Sequence, residues 1–466
     1  MMRAMDTDSA VAFPVSDAAT GARSSADFAQ AVVADALGPS ADPGAIPQGA
    51  AWRTQYPTAF RALVAAGLES TAAAVDQARR GLDSVHSRLS IDLTPRSALD
   101  ASTVAGPAQP SRRVAIPYRG ETLHGSALDR QLDDWLAHGV IEPSCAEAVR
   151  TVAAHPEWLD LGDVTFAVIG AGAQMGPVAS LLGWGAEVIG VDLPRDATWQ
   201  RLAALAAAGA GRLHGVRADV TADPGSVAQL LIDRNLRGRR LILGNYVYAP
   251  GGAHVLVSAA VDAVTAEVVA RRGDATLSFL GTPTDVYAVP DEVVSAADRA
   301  YWRAGALRLT RPALRLVSRG RLARKHYDGD GPALTDSLVL QQGANYALAK
   351  RIQRWRAAAA RAEGTPVSYV VAPPSRTASV TSNRLLRAAY DGAHRFGVTI
   401  FDPATSNALM ATLLVHDLRN PREHAHPAQH EVDAAAHGGL WRQGYVPRSV
   451  LGLAVGVGAR SLLRRA

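Results

Sequence analysis

Lysine is almost missing from this chain. Of the 48 basic residues among 466, only Lys325 and Lys350 are lysines, and the others are arginines. Cysteine is scarcer still: Cys145 stands alone, which excludes an internal disulfide framework and suits a reducing compartment. No apolar run approaches the ~20 residues that a membrane-spanning helix needs. Residues 1–20 include Asp6, Asp8 and Asp17 and lack the apolar stretch of a signal peptide. These absences lead us to expect a soluble, cytoplasmic protein. A net charge of +5 is too weak to argue for nucleic acid as a partner. The length implies more than one folding unit.

Residues 1–50 are rich in Ala, Ser, Asp, Gly and Pro without periodicity, which predicts a disordered tail. Apolar positions recur at helical spacing over 51–89, "TPRSALDASTVAGPAQPSRR" reads as a linker, and helices are predicted at 126–138 and 144–155. Residues 51–160 are thus expected to form a mostly helical N-terminal region. From Asp163 the pattern changes. The apolar runs "VTFAVIGAG", "AEVIGVDLP", "RLHGVRAD", "RRLILGNY" and "ATLSFLGT" alternate with helical stretches, among them 197–209, 224–235 and 254–271. After a break at about 283–339 the alternation resumes with helix 341–363, "VSYVVAP", helix 381–396, "GVTIF" and helix 405–417. Nearly continuous apolar strands at βαβ spacing predict an α/β fold over 161–420, a doubly wound, Rossmann-like parallel sheet. An extension, 421–466, follows.

"VIGAGAQMGPV" sets Gly170, Gly172 and Gly176 between a strand and a helix. Bare backbone there lets a pyrophosphate approach a helix N-terminus. Asp192 ends the next strand, where an acid is placed to bond a ribose 2′-hydroxyl; this favours NAD, while nearby Arg195 leaves NADP as the alternative. The same second strand would suit an S-adenosylmethionine-dependent methyltransferase, but Val168 and Ile169 stand where such enzymes carry an acid.

"NYALAK" places Lys350 four residues after Tyr346, so both side chains share a helix face. With 11 tyrosines and two lysines in the chain, chance expects about 0.05 such pairs. A phenol is a poor proton donor or acceptor at neutral pH, and an adjacent ammonium is expected to lower its pKa. Such a pair can exchange a proton with a carbonyl or alcohol oxygen. Lysine's compact charge suits this task better than arginine's planar fork.

These residues give the chain a resemblance to short-chain dehydrogenase/reductases, which carry Tyr-x-x-x-Lys on the helix after the fifth strand. The resemblance covers about residues 163–400 and implies an NAD(P)-dependent oxidoreductase. It implies that Asp219, in "RADVTADPGSVAQLL", contacts adenine, and that Asn245, in "LILGNY", matches the family's Asn-Asn-Ala-Gly turn. It also implies that Pro373, Thr377 or Ser379, in "VVAPPSRTASV", borders the nicotinamide. The family's serine falls by position on Thr282, with Ser278 and Thr284 as rivals. The glycine spacing departs from the family's usual T-G-x-x-x-G-x-G, and helix 254–271 holds no asparagine. A non-catalytic dinucleotide-binding sensor or scaffold is the alternative that these departures motivate.

From Arg299 to Lys325 there are nine basic residues and no acid, interleaved with Tyr301, Trp302 and six leucines or valines. Three readings remain open for this stretch. It is a solvated amphipathic surface, a rim for an anionic or thioester-linked small-molecule substrate, or a peripheral contact with an anionic membrane. His424, His426, His430 and His437 read as a polar loop rather than a metal site, since Pro427 breaks the helix that would align them. The apolar, then basic, C-terminus reads as a docking helix. A homo-oligomer fits the unassigned N-terminal region.

Overall fold

A seven-stranded sheet organises the computed structural model, which describes residues 10–17, 21–39, 42–303, 305–329 and 331–463. In chain order its strands are β1 (Ala101–Ala105), β2 (Val164–Ile169), β3 (Glu187–Asp192), β4 (Arg212–Arg217), β5 (Arg240–Asn245), β6 (Ala275–Gly281) and β7 (Val367–Val371). Across the sheet the order is β7-β6-β5-β2-β3-β4-β1. All neighbours are parallel except β1, which pairs antiparallel with β4 (Ala101 opposite Val216). The chain reverses its direction of winding between β2 and β5, and such switch points leave a crevice beyond the strands' C-terminal ends.

Both faces are covered, as the unbroken apolar strands require. Ala167 and Ile169 of β2 face one core, and Phe166 and Val168 face the other. On the first face lie α1 (Ser25–Leu37), α2 (Trp52–Gly67), α3 (Thr71–Arg88), α5 (Gly252–Arg271) and α8 (Gly343–Ala362). The second face is covered by α4 (Pro143–Ala154), α9 (Pro403–Arg419) and the helices Gly125–Ala137, Val178–Gly183 and Asp196–Ala208. Helix α5 is long and apolar enough to cross a membrane by length and composition, but two-thirds of it is buried inside the protein. Its single buried acid, Asp262, is held by Arg356 (2.7 and 2.8 Å) and His86 (2.6 Å).

Four expectations need correction. Within 1–50, residues 25–37 form α1, capped by Ser24 and buried through Phe28, Val32 and Val33 against α3, so this stretch is not a disordered tail. The expected linker supplies β1, a polar edge strand that needs no apolar run because only one side of it is paired. The mostly helical N-terminal region forms as expected, but it is not the further folding unit that the length implied, since its helices are distributed over both faces of the sheet. "GVTIF" is not a strand: Thr399 and Phe401 donate to the Gly438 and Pro374 carbonyls, in loops rather than a neighbouring strand.

The insertion leaves β6 and forms a hairpin, Val286–Ala288 with Leu334–Asp336. Between the hairpin strands lie α6 (Asp291–Arg303) and α7 (Gly305–Val317). The C-terminal α10 (Pro447–Leu463) docks against Arg384–Gly392. Of the four histidines, His426 caps helix Pro427–Val432 and His437 is buried against Glu142 (2.7 Å).

Candidate functional site

The glycine turn sits at the switch point. Gly170 has φ +85°, and a methyl there would meet the Tyr246 carbonyl carbon at 2.8 Å and the Val247 nitrogen at 2.9 Å. These neighbours are backbone, so the ends of β2 and β5 touch at this turn only because residue 170 is glycine. Gly172 donates its N–H to Asp192 Oδ2 (2.7 Å), and its carbonyl accepts from Arg201 Nη2 (2.7 Å). Asp192 Oδ1 accepts from the adjacent Leu193 N–H (2.8 Å), so one carboxylate oxygen braces the turn and the other stays with its own strand end. Each oxygen keeps a further lone pair for a ribose hydroxyl. Gly176 is less constrained: its nearest neighbour to a methyl would be the Ala173 carbonyl, at 3.3 Å. The helix expected to open here runs only from Val178 to Gly183, cut short where Gly185 turns to φ +87°. It is too short to present a strong dipole to a pyrophosphate.

The other cofactor candidates ring the same edge of the sheet. Asp219 lies beyond the end of β4, and its Oδ1 accepts from the Thr221 N–H and hydroxyl (2.9 and 2.6 Å). Asn245 ends β5, buried. Pro373 follows β7, and its carbonyl accepts from Ser375 (2.9 Å). Thr377 begins helix Ala378–Ser382, with its hydroxyl 3.0 Å from that of Ser379. The Ala378 N–H donates to Gln174 Oε1 (2.7 Å), so this last loop reaches back to the glycine turn.

Tyr346 and Lys350 lie in the first two turns of α8, half-buried. The Thr282 and Thr284 hydroxyls, 2.8 Å from each other, lie near the Tyr346 phenol and act against the effect of burial on it. Tyr287 fixes this corner by donating to the Thr282 carbonyl (2.8 Å). Ser278 lies elsewhere, 2.7 Å from the Tyr246 hydroxyl. Of the three candidates for the expected serine, Thr282 and Thr284 lie near the phenol and Ser278 does not.

The expected phenol–ammonium pair does not form. Lys350 Nζ donates to the Leu280 carbonyl (3.2 Å) and to Gln353 Oε1 (3.1 Å), and Gln353 donates onward to Asn245 Oδ1 (3.2 Å). Burial dominates both groups: it pushes the phenol up to about 12, despite the threonine hydroxyls, and the ammonium down to about 8. The tyrosine is accordingly protonated at neutral pH and not a pre-formed phenolate. A stability effect follows. Below about pH 8 the folded state carries a desolvated ammonium, and this cost disappears as pH rises from about 8 to the ordinary lysine value of 10.5. Lys350→Met is expected to raise the urea midpoint at pH 7 and to remove a gain in stability across that window. An unchanged midpoint would contradict the desolvation.

One site residue escaped the sequence reading. His254, in the first turn of α5, is 1% exposed, and its ring lies 5.1 Å from that of Tyr248 and 5.5 Å from that of Tyr346. Its ring nitrogens make no hydrogen bond of normal geometry, although the Val247 backbone approaches. Burial, with the charge of Lys350, pushes its pKa down to about 3, so it stays neutral. Its sequence signal was a single histidine in the first turn of a mostly apolar helix, which usually means core.

Tyr346, Lys350, Thr282 and Asn245 thus form one cluster at the C-terminal ends of β5 and β6. Gly170, Gly172 and Asp192 form a second beside it at β2 and β3. A cavity of about 420 Å³ lies at the opposite edge, by Thr276, Arg361, Val367 and His430, near the N-terminal ends of β6 and β7. It holds none of these residues.

The fold and these clusters define an α/β protein of the doubly wound, Rossmann-like class. No protein-family model matches the chain, and no curated protein matches it. Among solved structures it is similar to a short-chain dehydrogenase/reductase from Serratia marcescens, at 16% identity and TM-score 0.36, over 60% of this chain and 99% of that one. A short-chain type dehydrogenase/reductase from Mycobacterium ulcerans is 18% identical, with TM-score 0.34 over 65% and 98%. A thiolation-reductase di-domain from an archaeal non-ribosomal peptide synthetase is 13% identical, with TM-score 0.31 over 56% and 54%. Likeness at that level says nothing about which residues act.

Proposed function

We propose that the chain is an NAD(P)-dependent oxidoreductase that interconverts a carbonyl and an alcohol. The observation that carries this reading is the Tyr346 phenol set against the hydroxyls of Thr282 and Thr284, at the sheet edge where the glycine turn lies. The residues suit a dinucleotide. Gly172 leaves bare backbone where a methyl would meet Thr198 Cγ2 at 2.5 Å and Asp192 Oδ2 at 3.0 Å, and Asp192 ends the following strand. Asp192 would take the ribose 2′-hydroxyl, and Arg195 and Arg201 stand near for a 2′-phosphate, so both NAD and NADP remain. A bound nicotinamide supplies or accepts the hydride.

Tyr346, held protonated by burial, gives its proton to the substrate oxygen, while Thr282 and Thr284 orient that oxygen. Lys350 is held by the Leu280 carbonyl and by Gln353, which Asn245 positions in turn, and would bond the nicotinamide ribose. Asp219 would border the adenine, and Pro373 and Thr377 the nicotinamide. Loss of reduced-nicotinamide absorbance, with NADH or NADPH and a panel of aldehydes and ketones, tests the reading. Binding without turnover on every carbonyl would favour the sensor instead.

A further inference from the structure

Helix α7 carries its apolar face outward. Leu309, Leu316 and Val317 are 83%, 82% and 86% exposed, and Pro312 and Ala313 between them are exposed as well. At about 100° per residue these positions share one side of a helix. The opposite side is fastened to the protein. Arg311 is buried, with its guanidinium 3.8 Å from the centre of the Tyr301 ring and 5.2 Å from that of Trp302, and it donates to the Tyr301 carbonyl (3.1 Å). The helix is thus held with its leucines turned to solvent, where water contact costs free energy that a soluble surface normally avoids.

Along the stretch that bears this ridge the charge is of one sign. Arg299, Arg303, Arg315, Arg319, Arg321 and Arg324 are exposed, and no acid occurs from Arg299 to Lys325. Lys325 is paired with Asp298 (3.0 Å) of α6. Trp302, 58% exposed, lies against Arg311 on the side of α7 away from the ridge. Leucines projecting beside a basic stretch match the layers of a bilayer surface: acyl chains and anionic headgroups.

We propose that the outer face of α7 docks on an anionic lipid bilayer, with Leu309, Leu316 and Val317 entering the headgroup–acyl boundary and the arginines of the same stretch meeting lipid phosphates. A second copy of the chain fits less well, because two such stretches would face each other with like charge. Nucleic acid would engage the arginines but leave the leucines wet. The proposal is independent of the reaction proposed above.

The full chain is tested by co-sedimentation with vesicles of phosphatidylcholine alone or mixed with phosphatidylglycerol. Partitioning should be about tenfold or more stronger on the anionic vesicles and should weaken with added salt. The triple variant Leu309→Ser, Leu316→Ser, Val317→Ser should lose about tenfold or more of it, with circular dichroism and melting unchanged because these side chains are exposed. Arg315→Glu with Arg319→Glu should lose the preference for anionic vesicles. Equal partitioning on both vesicle types, or full binding by the triple variant, would overturn the proposal. So would light scattering that finds a wild-type dimer dissolved by the triple variant, since the face would then join two copies.

Discussion

Tyr346→Phe is expected to reduce turnover by about two to four orders of magnitude. Dinucleotide affinity should stay nearly unchanged. The substitution removes one oxygen, and its two neighbours keep each other, since Thr282 and Thr284 are 2.8 Å apart. The fold should therefore survive, and what is lost is the proton donor. Burial holds that phenol at about 12, so the wild-type reduction rate should show no phenol titration across neutral pH. The group that changes state near neutrality is Lys350, at about 8. Carbonyl reduction should decline as pH rises through that value, where the ammonium loses its charge. Steady-state rates of the variant, with dinucleotide binding measured alongside, check the first claim. Activity within about tenfold of wild type would remove Tyr346 from the mechanism.

Asp285→Ala is the substitution expected to damage the fold most. Asp285 is 1% exposed and stands between two buried guanidiniums, Arg351 (2.8 Å) and Arg354 (3.2 Å). Arg354 is also paired with Glu431 and donates to the Val286 carbonyl (2.7 Å), while Arg351 Nε already has no partner. The cluster ties the start of the insertion to α8 and to the C-terminal extension. Breaking a buried pair by deleting one partner costs about 3–5 kcal/mol. Arg351 would be left without a bonded counter-ion. Because Thr284 immediately precedes Asp285, turnover should fall with stability. Arg351→Met should cost less, since Asp285 would keep Arg354. Urea denaturation at neutral pH orders the two, and a loss below about 1 kcal/mol for Asp285→Ala would show that the cluster is not structural.

The sequence made some of this legible because the relevant signals are local. Strands β2 to β6 are short apolar runs separated by helical periods, and a sheet covered on both faces leaves little choice of partner. Gly170, Tyr346 and Lys350 stand out because their residue types are costly or rare at those places. Thr282 was reached by position alone, and the Thr284 hydroxyl beside it is visible only once the insertion folds. What stayed hidden depends on distant contacts. β1 is polar because it is an edge, and α1 is short and alanine-rich yet buried by packing on α3. His254 becomes part of a site only when α5 and α8 lie side by side. The expected ammonium–phenol contact failed for the same reason. A spacing of four residues gives a shared helix face, but the Leu280 carbonyl and Gln353 decide where the Lys350 ammonium goes.

Calorimetric titration of the purified full chain with NADH and with NADPH tests the central claim most directly. Saturable binding of one dinucleotide per chain, for at least one of the two, is the predicted result. Absence of binding to either would contradict the reading of the glycine turn and Asp192, and with it the proposed hydride transfer.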